Sequence, residues 1–387
     1  MVYNEILIKY GEIFLKSEPV LRRFEKILRE NIKAGLKEKK IKFEILRKRG
    51  RIFVKTKQIR KACNVLKRIF GIVSFSPCFH LKTSELKKIQ AFVKMNYPKW
   101  IKKNQSFAIR ARRVGKHKYN SQELAKALGN IINRKVDLSK PDVEVFVEVR
   151  DNDTYIYTKE IKGPGGMPLG SAGKVVCLIS GGIDSPVAAW LMMKRGCVII
   201  PLFAFFCKGD KSDLKRFKEV VKELKKWHIG KKMRIFLFKH ELNLVQFRKK
   251  FYKYTCILCK RMMYRVANEL AKKIGAKAIV TGESLAQVAS QTLDNLMVID
   301  QASELPVFRP LIGADKIESI ELAKKIGTYE KSCIPVKYGC GKLEGCWARP
   351  RKPATKANLK KIIEFEKELD VEKLLKLSLL SLREIKV

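Results

Sequence analysis

No run of about 18 uncharged apolar residues occurs in the chain, so no membrane span is expected. The N-terminus, MVYNEILIKYGEIFLK, mixes charges into its apolar residues and lacks a small-residue cleavage site, which argues against a signal peptide. A cytoplasmic protein is expected. Internal repeats and low-complexity tracts are absent. Acidic side chains are scarce, 38 against 83 lysines and arginines, for a formal net charge of +45. Solubility needs far less, and the lysine and glutamate enrichment of thermophiles balances both signs. The excess therefore points to a polyanionic partner, and its spread over the whole chain points to nucleic acid. Histidine is rare too: His80, His117, His228 and His240 show no ligand or triad spacing and read as surface or structural residues. The ten cysteines do not resemble the framework of a small secreted domain. Cys63, Cys78, Cys177, Cys197 and Cys207 sit in apolar patterns, where cysteine behaves as a small hydrophobe.

At 387 residues the chain is long enough for two or three domains. Residues 1–58 alternate strand-like and helical segments: NEILIKY, a helical run from Glu18 to Lys40, and KFEILRKRGRIFVKT with antiparallel pairing around Gly50. Residues 59–162 follow, opening with a helix near Gln58 to Phe70 and continuing through IVSFSPCFHL, SFAIRARRVG, VEVFVEVR and TYIYTKEIK, with helices from Ser84 to Met95 and Ser121 to Asn133. The period-two strands of this part read as half-exposed, as in an RNA-facing sheet. GPGGMPLGSAG, residues 163–173, interrupts all periodicity and reads as a linker. In residues 174–352, buried-type strands (VVCLIS, VIIPLFAFF, MRIFLF, AIVTG) alternate with helices, the α/β pattern of a doubly wound parallel sheet that binds ligands at the C-terminal edge of its strands. Residues 353–387 read as one amphipathic helical pattern with no strand behind it.

The sharpest signal is Ser180-Gly181-Gly182-Ile183-Asp184-Ser185, set between the strand Lys174 to Ile179 and the helix Pro186 to Arg195. Its glycines let the backbone turn tightly and present N–H groups, the two serines add hydroxyls, and the helix N-terminus adds positive potential for phosphate. Asp184 is placed to cap the helix or to help hold Mg2+. No Gly-Lys-Ser/Thr and no G-x-G-x-x-G occurs, which argues against kinases, GTPases and dinucleotide folds. The segment resembles the pyrophosphate loop (PP-loop) of the ATP pyrophosphatases, which cleave ATP between the α and β phosphates to adenylate a substrate. A second stretch, TGESLAQVASQT from Thr281 to Thr292, follows the strand Ala278 to Val280 and resembles the signature of the tRNA 4-thiouridine synthetase family. Its Glu283, Gln287 and Gln291 would lie beside the phosphate loop.

The resemblance extends over nearly the whole chain. It implies α+β ferredoxin-like and THUMP domains ahead of a PP-loop ATP pyrophosphatase domain with a doubly wound parallel sheet. It also implies ATP and Mg2+, with ATP contacts at Leu178, Ile179, Ser180, Gly181, Gly182, Asp184, Ser185, Phe203, Ala204, Lys260, Gly282 and Gln291. Asp184, Lys260 and Cys340 would act in catalysis. The first two domains would bind tRNA at its acceptor end and present uridine 8, whose O4 is adenylated and then replaced by sulfur. A homodimer is the expected assembly. A PP-loop enzyme thiolating another tRNA base, or amidating a nucleotide with ammonia, would share the loop, whereas a non-catalytic tRNA-binding protein would not need SGGIDS and TGES intact.

Cys256 and Cys259, in KYTCILCKRMMYR, put two thiols one helical turn apart on one face if this segment is helical. Two ligands do not hold a metal alone, and Cys333, Cys340 and Cys346 are the candidates to complete a site. In the family a cysteine of this region serves sulfur transfer, and Cys340 matches it best. Three readings stay open: an iron–sulfur cluster on Cys256, Cys259 and Cys340, a persulfide or disulfide relay, and structural zinc or plain core cysteines. Many bacterial relatives append a rhodanese domain that carries the persulfide; none is expected here, so the sulfur donor is sulfide or the persulfide of a cysteine desulfurase. The thiamine role known in the family depends on sulfur-carrier partners and is set aside. For RNA, Arg110, Arg112, Arg113, Lys116 and Lys118, with His117 and Tyr119, concentrate charge just past a strand as phosphate contacts require. Arg47, Lys48, Arg49 and Arg51 form a second cluster at the hairpin turn.

Overall fold

The computed structural model describes residues 3–48, 50–206, 211–337 and 346–387. It divides into two compact units, Met1–Gly166 and Met167–Val387. The first holds strands β1 (Glu5–Tyr10), β2 (Glu44–Lys48), β3 (Arg51–Lys55), β4 (Ile72–Leu81), β5 (Phe107–Val114), β6 (Val143–Arg150), β7 (Asp153–Tyr157) and β8 (Ile161–Lys162). Its helices are α1 (Glu18–Glu38), α2 (Ile59–Leu66), α3 (Leu86–Trp100) and α4 (Ser121–Gly129).

The strands form one sheet in the order β2-β3-β1-β4-β7-β6-β5, with β8 also on β4. The hairpin expected around Gly50 is present, with Lys48 opposite Arg51 and Gly50 at φ 74°, a conformation that favours glycine. The ten residues of β4 join the two α+β segments: Ile72–Cys78 pairs with β1 and Phe79–Leu81 with β7. β6 and β7 are not half-exposed as their alternation suggested. Val145, Val147, Val149 and Ile156 pack on Ile89, Val93, Leu124 and Leu128 of α3 and α4. The opposite face is also buried, because its polar residues satisfy one another: Glu148 takes Arg51 at 3.1 Å and Arg150 at 3.0 Å, and Tyr155 stacks on Phe53. Paired charges read as solvent-facing in one dimension.

The segment 163–173 is tied down. Gly163 and Gly165 donate backbone hydrogen bonds to Val73 and Ile72, while Met167 donates to Lys194 and Gly170 to Gly196.

The second unit contains β9 (Lys174–Leu178), β10 (Val198–Phe205), β11 (Ile235–Lys239), β12 (Ile279–Val280), β13 (Val307–Phe308) and β14 (Arg383–Ile385). Its helices are α5 (Asp184–Lys194), α6 (Ser212–Lys225), α7 (Glu241–Phe251), α8 (Thr255–Ile274), α9 (Leu293–Asp300), α10 (Lys316–Ile326), α11 (Tyr329–Ser332), α12 (Leu359–Glu368) and α13 (Val371–Leu380). The sheet order is β13-β12-β9-β10-β11-β14, parallel except for β14. The chain runs outward from β9 through β10 and β11, then returns to lay β12 on the other side of β9. The loops leaving β9 and β12 are therefore neighbours at a switch point, where doubly wound sheets bind ligands.

The tail differs from the single helical pattern expected of it. It breaks at Asp370, whose φ of 48° ends one helix and whose carboxylate accepts from Lys373 N to start the next. It then adds β14 antiparallel to β11, held by the ion pair of Arg234 with Glu384 at 2.8 Å. Three residues are too few to show a strand period in the sequence.

Burial leaves a pH signature at His228. His228 is buried with Nδ1 3.2 Å from the Lys231 carbonyl, and desolvation lowers its pKa to about 4. The folded histidine stays neutral while the unfolded one takes up a proton below its ordinary pKa of 6.5, so stability present above that pH is lost as pH falls toward about 4. Replacing His228 with asparagine should flatten the pH dependence of the urea midpoint between about pH 6 and 4.5, removing up to about 1.4 kcal/mol per pH unit. An unchanged slope would show that His228 does not carry it.

Candidate functional site

β9 ends at Leu178 and α5 starts at Asp184, so the predicted phosphate loop is the turn between them. Gly181 has φ 72° and lies over α6, where an added Cβ would stand 3.2 Å from Phe217 N. The Ser180 N–H donates to Ser185 Oγ at 3.1 Å, and Ser332 of α11 donates to the Gly182 carbonyl at 3.2 Å. Among the described residues no side chain caps the N-terminus of α5. Its first amides are thus left for another acceptor, which suits an anion. Gly282, in the loop after β12, lies flush against this turn: a Cβ there would stand 2.5 Å from Ser185 N.

The Asp184 carboxylate, at the start of α5, receives Lys316 Nζ at 2.8 Å on each oxygen, with Gln287 Nε2 at 3.5 Å. An oxygen donor beside a phosphate cradle is the type that magnesium takes, with phosphate oxygens able to supply further ligands. Lys316, an exposed residue at the start of α10, was missed in the sequence because nothing local sets it apart from the other lysines. Gln291, an expected nucleotide contact, has its Oε1 buried with no hydrogen-bond partner among the described residues. Ile179 is buried, and Phe203 and Ala204 lie in packing, Phe203 stacked on Phe217 at 4.4 Å. Their side chains shape the floor under the loop.

Lys260, on α8, does not stand alone. Its ammonium donates to Glu283 Oε1 at 2.5 Å. Glu283 is buried and accepts also from Arg309 Nε at 2.7 Å and Thr281 Oγ1 at 2.9 Å. Burial alone would raise this carboxyl, but the charges of Lys260 and Arg309 outweigh it and hold the pKa down to about 2.

Cys256 and Cys259 lie in the first turns of α8, both half-buried. Of the two readings of His240, surface or structural, the first does not hold: it is fully buried with Nε2 3.3 Å from Cys259 Sγ. Its tautomer follows from its neighbours. Ser378 Oγ donates to the Leu374 carbonyl, so Asn243 Nδ2 donates to Ser378 at 2.8 Å and to His240 Nδ1 at 2.9 Å, leaving the proton on Nε2 to face the sulfur. Cys333 is exposed at the end of α11 and Cys346 is half-buried, while Cys340, Cys207 and Arg49 lie outside the described residues. Among the described residues no group of three metal-ligating side chains occurs. Two thiols alone do not complete an iron–sulfur site, and the third candidate ligand, Cys340, lies outside the described residues. Cys63, Cys78, Cys177 and Cys197 are buried, and desolvation raises all four thiols, as expected of small hydrophobes.

In the first unit a cavity of about 400 Å³ is lined by Arg51, Arg112, Arg113, Arg150 and Phe14. Glu148 also lines it, neutralised by Arg51 and Arg150. Arg112, Arg113, Lys116 and Lys118 are exposed. Arg110 is committed elsewhere, to Glu144 at 2.7 Å and the Leu138 carbonyl at 2.9 Å.

The family model described as Thiamine biosynthesis protein (ThiI) matches residues 170–371, the ThiI ferredoxin-like domain matches 5–76, and the THUMP domain matches 84–159. The chain is 40% identical to a probable tRNA sulfurtransferase of Methanosarcina mazei, over 99% of this chain and 96% of that one. It is 43% identical to a probable tRNA sulfurtransferase of Thermococcus kodakarensis, over 86% and 90%. Among solved structures it is similar to a 4-thiouridine synthetase in complex with RNA and bound ATP, at 30% identity and a TM-score of 0.88, covering 99% of this chain and 100% of that one. No helix among the described residues is long and apolar enough to cross a membrane.

Proposed function

The chain belongs to the ThiI family of tRNA sulfurtransferases, and from that premise we propose that it uses ATP to replace O4 of uridine 8 in tRNA with sulfur, giving 4-thiouridine. The observation that carries this reading is the uncapped N-terminus of α5 with Asp184 at the switch point between β9 and β12. Triphosphate lies on the amides of the Ser180 to Ser185 turn, and Lys316 and Lys260 offset its charge. Uridine O4 attacks the α-phosphorus and pyrophosphate leaves. A sulfur nucleophile then adds at C4 and AMP departs with the former O4: sulfide gives the thiocarbonyl directly, whereas the persulfide of a cysteine desulfurase gives a C4–S–S–R disulfide, whose S–S bond a second thiol cleaves, forming a disulfide with R–S and releasing 4-thiouridine. Asp184 would hold magnesium, which when bound neutralises phosphate charge. Cys340, by family resemblance, is the candidate for carrying sulfur, near Cys256 and Cys259 in role. Gln291 offers its unpaired amide oxygen to an adenine amino group.

Pyrophosphate release should depend on tRNA carrying uridine 8 and vanish with a transcript that has cytidine there; equal release with both would defeat the assignment. The basic cavity of the first unit supports RNA phosphate contacts. Changing Arg112 and Arg113 together to alanine should weaken tRNA binding at all sequences and lower the salt slope of log K by about 1.4 to 1.8, two contacts' worth. Filter binding across a salt series measures it, and an unchanged slope would place the contacts elsewhere.

A further inference from the structure

Arg309 follows the edge strand β13 and carries no sequence-derived role. Its guanidinium is held on two sides. Nε donates to Glu283 Oε2 at 2.7 Å, while Nη1 at 3.0 Å and Nη2 grip the two oxygens of Asp300, and Nη2 also meets Tyr264 OH at 3.1 Å. Glu283 Oε2 further accepts Thr281 Oγ1 at 2.9 Å and Tyr264 OH at 3.3 Å. One carboxylate oxygen is thus filled by the scaffold, and the other, Oε1, accepts among the described residues from Lys260 alone.

We propose that Arg309 is a positioning residue for adenylation: it acts through Glu283 to hold the Lys260 ammonium at the wall of the phosphate loop. This rests on the adenylation reading above and on Lys260 as a phosphate-facing cation.

Three features of this cluster support the role. The first is orientation. With Oε2 clamped by three donors the carboxylate cannot rotate, so Lys260 spends one of its three N–H groups on Oε1 and keeps two for a ligand. The second is charge. Glu283 shared between two cations neutralises Lys260 less than an exclusive partner would, and Asp300 offsets Arg309 so that the cluster is not repulsive. The third is place. Glu283 directly follows Gly282, which is packed against the Asp184–Ser185 backbone, so a shift in Glu283 is a shift beside the reacting phosphates. A lysine at 309 would keep the charge but lose the fork that reaches Glu283 and Asp300 together.

The test is a double-mutant cycle in the full chain, reading tRNA-dependent pyrophosphate release with Arg309→Lys, Lys260→Met and both, alongside thermal unfolding. Arg309→Lys should lower kcat about 10- to 100-fold with tRNA affinity unchanged. In the Lys260→Met background the same change should cost less than about twofold, because the group being positioned is gone. Losses that multiply in the double variant would overturn the proposal, as would a folded Arg309→Lys protein with full kcat. If Lys260→Met alone keeps full kcat while uridine-8-dependent release persists, Lys260 is not the cation and the proposal falls, with the overall reaction left standing. If Arg309→Lys does not fold, Asp300→Asn, which loosens the guanidinium from its far side, must show the same non-additivity with Lys260→Met or the proposal fails.

Discussion

Asp184→Asn should abolish tRNA-dependent pyrophosphate release, by about a thousandfold or more, and leave tRNA affinity unchanged. Asparagine preserves size and can still serve the first turn of α5, so the change removes charge and little else. Among the described residues the carboxylate is the only acidic group on Lys316, which donates to both of its oxygens at 2.8 Å. Without it Lys316 is freed toward the triphosphate, so ATP affinity should hold or rise while turnover collapses. Such a split between binding and rate separates a role in the reacting state from a role in folding. Nucleotide binding by equilibrium dialysis and turnover by labelled pyrophosphate release measure the two sides. Substantial release by the folded variant would remove Asp184 from the chemistry.

Gly282→Ala should be nearly as severe, for a steric reason. The new Cβ would stand 2.5 Å from Ser185 N and 2.7 Å from the Asp184 carbonyl carbon and Ser185 Cα. These are backbone atoms of the phosphate loop, with no flexible side chain to yield, so the two loops must separate by most of an ångström. Displacement on that scale costs about 100-fold in rate, with about 1–3 kcal/mol of stability for the overpacked contact. Gly313→Ala is the control, since nothing lies within 4 Å of a Cβ there. Equal kcat in both variants would mean that the approach of the β12 loop to the β9 loop is not needed for catalysis.

What could be read in the sequence was what is local. The phosphate loop is contiguous and sits between a buried strand and a helix, so both residue types and context were visible together. The parallel sheet announced itself through apolar runs separated by helices. Three features escaped because their meaning lies in partners far along the chain. Lys316 and Arg309 are ordinary basic residues until the fold brings them to Asp184 and Glu283. His240 has no ligand spacing, and its significance comes from Asn243 and Ser378 fixing which nitrogen faces Cys259. The strands of the first unit misled for a related reason: Glu148 and Arg150 mimic a solvent-facing alternation, but each finds its counter-charge inside the sheet.

The central claim is the identity of the product. The purified full chain should be incubated with ATP, magnesium, sulfide and an unmodified tRNA transcript, and the digested nucleosides separated and weighed by mass spectrometry. The expected product is 4-thiouridine that requires ATP, maps to position 8 and disappears with Asp184→Asn. Thiolation of a different base, or none despite tRNA-dependent hydrolysis of ATP to AMP and pyrophosphate, would contradict it.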